Sequence, residues 1–264
     1  MKPISTAAVA PFVQACGVDV VYPGGTQAIS GLDLALVEGG FASIVGPSGC
    51  GKSTLLKALA GLVPVSRGSL QFGAGVASGG SGDGHDVAFV FQQPTLLSWR
   101  TVAGNVRLPL ELNGGDQAKA AARVHDVLEW VGLADFAQAL PAELSGGMQM
   151  RASLARALVT RPHLLLMDEP FAALDDITRQ RLNEDVAGLW QRDRWTALFV
   201  THNVAEAVFL SQRILVMSSR PGRIMADIPV ELPFPRQRAL RTTAAFNACV
   251  ERVSRALYET GGGA

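Results

Sequence analysis

Hydrophobic and polar positions alternate in the first part of the chain and gather into blocks in the rest. From Pro11 to Leu36, apolar and polar residues alternate around turn formers such as Pro23-Gly24-Gly25, which predicts short strands. Phe41–Val45 is a compact apolar run, followed by glycine-rich Gly46–Gly51 and a helical pattern over Lys52–Leu62. That order predicts a strand, a loop and a helix. Gly73–Gly84, rich in Gly, Ser and Asp, predicts a flexible loop between two strands, the second being Val87–Phe91. Thr101–Leu140 has a mostly helical pattern, with breaks expected at Pro109 and at Asn113-Gly114-Gly115. With the helical Gly146–Thr160, it predicts a helical subdomain over about residues 95–160. His163–Met167 reads as a buried strand, because Leu164, Leu165 and Leu166 run unbroken. A helix over Asp175–Trp190, a buried strand over Thr196–Val200, a short helix over Asn203–Leu210 and a strand over Arg213–Met217 follow. The last predicted element is an amphipathic helix from Gln237 to Tyr258. Strands alternating with helices predict an α/β fold with a largely parallel sheet and crossover helices, preceded by an antiparallel β part.

The length, 264 residues, suits one large domain over 1–235 and a helical tail over 236–264. Hydrophobic residues make up 48% and charged residues 17%, which provides for a well-filled core and a surface with less charge than most. Lys plus Arg equals Asp plus Glu at 23 each, so electrostatics give no reason to expect nucleic acid as a partner. No apolar run reaches the roughly 20 residues that span a bilayer. Met1–Ala15 lacks the basic start and long apolar stretch of a secretory signal, so a cytoplasmic protein is expected. Cys16, Cys50 and Cys249 are odd in number and scattered, which fits a reducing compartment better than a disulfide framework.

Gly46-Pro47-Ser48-Gly49-Cys50-Gly51-Lys52-Ser53 matches the phosphate-loop pattern in full. Glycines let the backbone curl until its N–H groups point inward at phosphate oxygens. The helix that starts near Lys52 adds the positive end of its dipole. Lys52 would neutralise the β- and γ-phosphates of a nucleotide, and the Ser53 hydroxyl would reach Mg²⁺. Cys50 is either a thiol made reactive by the helix start or simply a small residue that fits the loop. Leu164-Leu165-Leu166-Met167-Asp168-Glu169 ends an apolar strand in two carboxylates. Taken alone they could be solvated acids. Beside a phosphate loop, Asp168 is suited to hold Mg²⁺ through water and Glu169 to orient or deprotonate an attacking water.

Leu144-Ser145-Gly146-Gly147-Met148-Gln149 resembles the signature motif of ABC ATPases, one helix upstream of the carboxylate strand, in the order that family uses. Met148 stands where the family most often has Gln. The resemblance spans roughly Phe12 to Arg223. It implies a P-loop NTPase fold of the ABC type and ATP with Mg²⁺ as ligands. Nucleotide contacts would come from Tyr22, whose ring would stack on adenine, and from Gly46, Pro47, Ser48, Gly49, Cys50, Gly51, Lys52, Ser53 and Thr54. Gln92 matches the glutamine that senses Mg²⁺ and the γ-phosphate. Ala173-Leu174-Asp175 resembles the D-loop, and His202 matches the switch histidine. Ser145, Gly146 and Gly147 would contact ATP held by a second copy of the chain, in a head-to-tail dimer with two nucleotides between its halves.

The same resemblance implies a function through partners. A single ATPase unit without coiled-coil arms or metal-spaced cysteines looks like the subunit of an importer, with two transmembrane permease subunits and a periplasmic substrate-binding protein. Its place would be peripheral, on the cytoplasmic face of the inner membrane, with no nucleic acid bound. Leu96-Leu97-Ser98-Trp99-Arg100-Thr101-Val102-Ala103-Gly104-Asn105-Val106 and Arg220-Pro221-Gly222-Arg223-Ile224 resemble the nitrate, sulfonate and taurine branch. Importers of thiamine precursors, and soluble ABC proteins acting on nucleic acid or the ribosome, are the alternatives. Leu96, Leu97 and Trp99 would either receive a permease helix or pack on the helical subdomain.

Overall fold

The computed structural model describes residues 11–73, 87–114 and 117–261. Most of the expected Gly73–Gly84 loop, and Gly115 of the expected helix break, lie outside the described residues. Among the described residues, Val13–Val21 (β1), Gln27–Leu36 (β2) and Arg67–Phe72 (β4) form an antiparallel sheet in the order β2-β1-β4. Val13 pairs with Leu36 on one side and with Phe72 on the other. Alternation along β1 sends Val13, Ala15, Val18 and Val20 into the core.

The second sheet is built from Phe41–Val45 (β3), Val87–Val90 (β5), Leu164–Asp168 (β6), Thr196–Val200 (β7), Arg213–Met217 (β8) and Ile224–Pro229 (β9). The order is β5-β6-β7-β3-β8-β9, parallel throughout except for the antiparallel pair β8–β9. All residues of β3, β6 and β7 are buried, as a parallel sheet covered on both faces requires. Because side chains alternate, the strands feed two separate cores. Phe41, Leu165, Met167, Ala197 and Phe199 face one way, with the helices Val102–Leu112 (α2), Gln117–Trp130 (α3), Gly146–Leu158 (α4), Asp176–Asp193 (α5), Val204–Leu210 (α6) and Ala244–Gly261 (α7). Ala42, Ile44, Leu166, Leu198 and Val200 face the other way, onto Lys52–Leu59 (α1) and the antiparallel sheet. The helix α1 is therefore clamped between two sheets by Leu55, Leu56 and Leu59.

Two expectations need correction, and one strand was not expected. α2 runs through Pro109 instead of breaking there. Its start is fixed by the Thr101 hydroxyl, which accepts from Gly104 N at 3.1 Å, and by buried Val102 and Val106. Pro109 falls in the last turn, where its missing N–H forfeits one bond and little helix remains to disturb. The tail is not one helix from Gln237. A 3-10 turn occupies Arg238–Thr242, and α7 starts anew at Ala244 because the Thr243 hydroxyl accepts from Phe246 N at 3.3 Å. Finally, β9 was not foreseen: Ile224–Pro229 is an edge strand with a largely exposed pattern, so it has little hydrophobic signal. Among the described residues no helix is long and apolar enough to cross a membrane.

Candidate active site

The loop from β3 to α1 wraps a cavity of about 410 Å³. Gly51 caps α1 with φ at 110°, and Leu55 N donates to its carbonyl at 2.9 Å. A Cβ at Gly51 would stand 2.6 Å from the Ala28 carbonyl oxygen, so the loop can pass β2 only as glycine. Lys52 is 5% exposed and its ammonium donates to the carbonyls of Gly46 and Pro47, each at 2.9 Å. The cation is thereby held inside the loop, with its stem in the core. Cys50 is buried at 1% exposure, which fits the small-residue reading and removes the access a reactive thiol needs.

The parallel pairing of β6 with β7 and β5 delivers the carboxylates to the same rim. Asp168 accepts from the Ser53 hydroxyl at 2.8 Å. Burial pushes the Asp168 carboxyl up, and neighbouring Glu169 adds to this, while the Ser53 hydrogen bond pulls the other way. One carboxylate and one hydroxyl beside a lysine suit Mg²⁺, which takes few protein ligands and fills its octahedron with water and phosphate oxygens. Among the described residues there is no group of three or more His, Cys, Asp or Glu that could hold a metal ion.

Glu169 leaves β6 at φ 45° and lines the cavity. A left-handed glutamate costs on the order of 1–3 kcal/mol, and Glu169 N holds it by donating to Val200 O at 2.9 Å. Its Oε2 lies 3.1 Å from Nδ1 of His202, whose side chain is 60% exposed just past β7. Tyr22, on the turn after β1, lines the cavity on the opposite side, its hydroxyl 3.1 Å from Thr54 Oγ1. The structure thus gathers Tyr22, Ser48, Gly49, Gly51, Lys52, Ser53, Thr54 and Glu169 around one cavity, with Asp168 and His202 in contact with that set.

Other expected residues lie elsewhere. Gln92 is exposed after β5 and is not among the residues lining the cavity. Ser145 is an exposed N-cap, its hydroxyl accepting from Met148 N at 3.3 Å at the start of α4. Gly147 lies against Thr178 of α5, where a Cβ would come 2.7 Å from the threonine methyl. Neither Ser145 nor the two glycines line this chain's cavity. Three lining residues, Thr26, Ala28 and Arg220, had no expected role, and Arg220 donates to the Gly49 carbonyl through Nε at 3.2 Å and Nη2 at 3.0 Å. Its sequence signal was the Arg-Pro-Gly-Arg turn, whose contact with a loop 171 positions away no local pattern states.

The chain is similar to known proteins in sequence and in fold. The family model described as ABC transporter matches residues 29–172. The aliphatic sulfonates import ATP-binding protein SsuB 1 of Pseudomonas syringae is 46% identical over 81% of this chain and 84% of its own length. The taurine import ATP-binding protein TauB of Rhizobium johnstonii is 40% identical over 89% of this chain and 90% of its own. A solved dimeric ATP-binding cassette, bound to ADP and Pi in a post-hydrolysis state, superposes with a TM-score of 0.72 at 29% identity, over 84% of this chain and all of that one. On these likenesses this chain belongs to the ABC transporter family as an ATP-binding, ATP-hydrolysing subunit.

Proposed function

We propose that the chain powers import of a small organic anion of the sulfonate or taurine type through a membrane complex. The anion class rests on the likeness to the sulfonate and taurine import proteins, and the ATP-driven cycle on one observation above others. Lys52, Ser53–Asp168 and Glu169–His202 converge on one cavity, whereas the Ser145 helix start lies off it, free to meet a nucleotide held by a second copy. ATP enters with adenine against Tyr22 and its phosphates in the loop, where Lys52 exchanges the Gly46 and Pro47 carbonyls for phosphate oxygens. Mg²⁺, when bound by Ser53 and Asp168, neutralises charge on the β- and γ-phosphates. Glu169 accepts a proton from water as that water attacks the γ-phosphorus. The bond to the β–γ bridging oxygen breaks, and ADP leaves with the electron pair. His202 holds the Glu169 carboxylate in place before ATP binds and then turns its N–H to the transferring group. Closure on ATP and reopening after hydrolysis is a shift between two states, which the permease converts into transport.

The docking surface is the loop after Gln92. Trp99 is 75% exposed there, while Leu96 packs against the core. A permease helix seated on this indole supports a peripheral location at the cytoplasmic face of the inner membrane, with a periplasmic binding protein choosing the substrate. The test is reconstitution with the permease subunits that co-purify in mild detergent. Expected is ATPase stimulation by binding protein loaded with taurine or an alkanesulfonate, lost in Trp99→Ala while basal hydrolysis persists. Stimulation by a thiamine precursor alone would refute the sulfonate class, and recovery of only DNA- or ribosome-bound partners would refute the importer.

A further inference from the structure

One buried acid beside the site has no part in the chemistry above. Glu206, in the first turn of α6, is 4% exposed. A buried carboxylate carries a desolvation cost of several kcal/mol and must be repaid by partners. Its two oxygens engage different segments. Oε2 accepts from the Thr201 hydroxyl at 2.5 Å, and Oε1 lies 3.4 Å from Arg179 Nε. Burial pushes this carboxyl up; the Thr201 hydrogen bond and the charges of Arg179, His202 and Arg241 oppose that.

Each partner holds one wall of the site. Thr201 Oγ1 also accepts from Asn203 N at 3.0 Å, so the chain is pinned on both sides of His202. Arg179 reaches the opposite wall. Its Nη2 donates to Leu174 O at 2.5 Å, its Nε to Phe171 O at 3.4 Å, and its Nη1 lies 3.5 Å from Asp176 Oδ1. Phe171 and Leu174 belong to the segment that leaves Glu169 and ends at Asp175, the N-cap of α5. The 3.1 Å contact of Glu169 with His202 closes the circuit. The path runs from Glu169 through Phe171–Leu174, Arg179, Glu206 and Thr201 to His202 and back to Glu169.

We propose that the Glu206–Arg179 pair is a positioning strut that makes the Phe171–Asp175 segment and the His202 segment move as one body. A packed apolar pair would fill the same volume at lower cost. It could not hold two loop carbonyls on one side and a threonine hydroxyl on the other. Neither residue of the strut lines the cavity. The strut sets where Glu169 and His202 stand when the segment ending at Asp175 meets a second copy of the chain. It therefore acts on turnover more than on ATP binding, and the inference rests on the reading of Glu169 and His202 as catalytic.

The decisive variants are Glu206→Gln and Arg179→Lys, compared with Glu169→Gln and His202→Ala. Glutamine keeps the size and an acceptor for Thr201 but gives up the charge. Lysine keeps the charge but lacks the fork that spans Glu206 and Leu174 O. Steady-state hydrolysis with Mg-ATP should show kcat down by roughly tenfold or more, with KM for ATP within about threefold, as misplacement by a fraction of an ångström produces. Melting temperatures and nucleotide binding should stay near the parent's. If Glu206→Gln fails to fold, Arg179→Lys carries the same criterion. A kcat within twofold of the parent, with His202→Ala inactive, overturns the strut and leaves the site standing. Equal losses of kcat, ATP affinity and melting temperature in both variants also overturn it, since that is what a structural role alone would give. Parental rates in Glu169→Gln and His202→Ala would instead overturn the catalytic assignment beneath it.

Discussion

Gly51→Ala isolates the geometry of the phosphate loop from its charge. The new Cβ would stand 2.6 Å from Ala28 O and 3.4 Å from Ile29 Cγ1, and the first of these is backbone at the start of β2 that already accepts from Gly222 N at 2.9 Å. The φ of 110° adds a conformational cost on the order of 1–3 kcal/mol. Overpacking adds a further 1–3 kcal/mol or so. Part of the two costs is relieved together by the same shift of the helix start, so a net loss of about 3 kcal/mol is expected. At about 2.1 cal/mol/K per residue, 264 residues carry an unfolding entropy near 0.55 kcal/mol/K, which makes the expected fall in melting temperature about 5 °C. The shift that relieves the clash moves the N–H groups of Lys52 and Ser53. ATP affinity should therefore drop by roughly tenfold or more, equivalent to one misplaced charge-assisted hydrogen bond. Scanning calorimetry and a fluorescent-nucleotide titration read the two effects separately. A melting temperature within about 1 °C of the parent, together with unchanged affinity, would refute the close-approach argument.

Gly188→Ala is the opposite case. This glycine sits exposed in α5 with open space where a Cβ would go, so alanine should stabilise by about 0.5–1 kcal/mol, or about 1–2 °C, in the same calorimeter. Lys52→Ala and Ser145→Arg should each abolish hydrolysis. Mixed in equal amounts they should regain part of it, because a mixed dimer holds one intact loop opposite one intact signature; no recovery in the coupled-enzyme assay would count against the head-to-tail pairing. Arg236→Met should lower the melting temperature by about 5 °C, since the buried guanidinium donates to the carbonyls of Val208, Phe209 and Ser211 and their loss as partners costs on the order of 3 kcal/mol.

The residues that carry chemistry were readable because they lie in contiguous runs whose backbone does part of the work. Gly46–Ser53 and Leu164–Glu169 announce a loop and a strand end, and the structure sets them at one rim. What stayed hidden depends on contacts far apart in the chain. Arg220 on the Gly49 carbonyl, Glu206 against Arg179 and β9 at the sheet edge have no local pattern. Pro109 and the Gln237 helix were misread for a different reason. Propensity marked the proline as a stop and the tail as continuous, while the caps at Thr101 and Thr243 decided where the helices begin.

The strand order also bears on how the chain is made. β3, the central strand that supports the phosphate loop, has β7 and β8 as its sheet neighbours, and these begin at Thr196 and Arg213. Its five fully buried residues are synthesised about 150 residues before the first of those neighbours. At 5–20 residues per second, Phe41–Val45 waits roughly 8–30 s for a partner. During that time an apolar segment with unpaired edges is exposed on a nascent chain, a natural client for a holdase chaperone. The central position that makes this strand a well-protected support in the finished molecule makes it the strand of its sheet that waits longest for a first partner during synthesis.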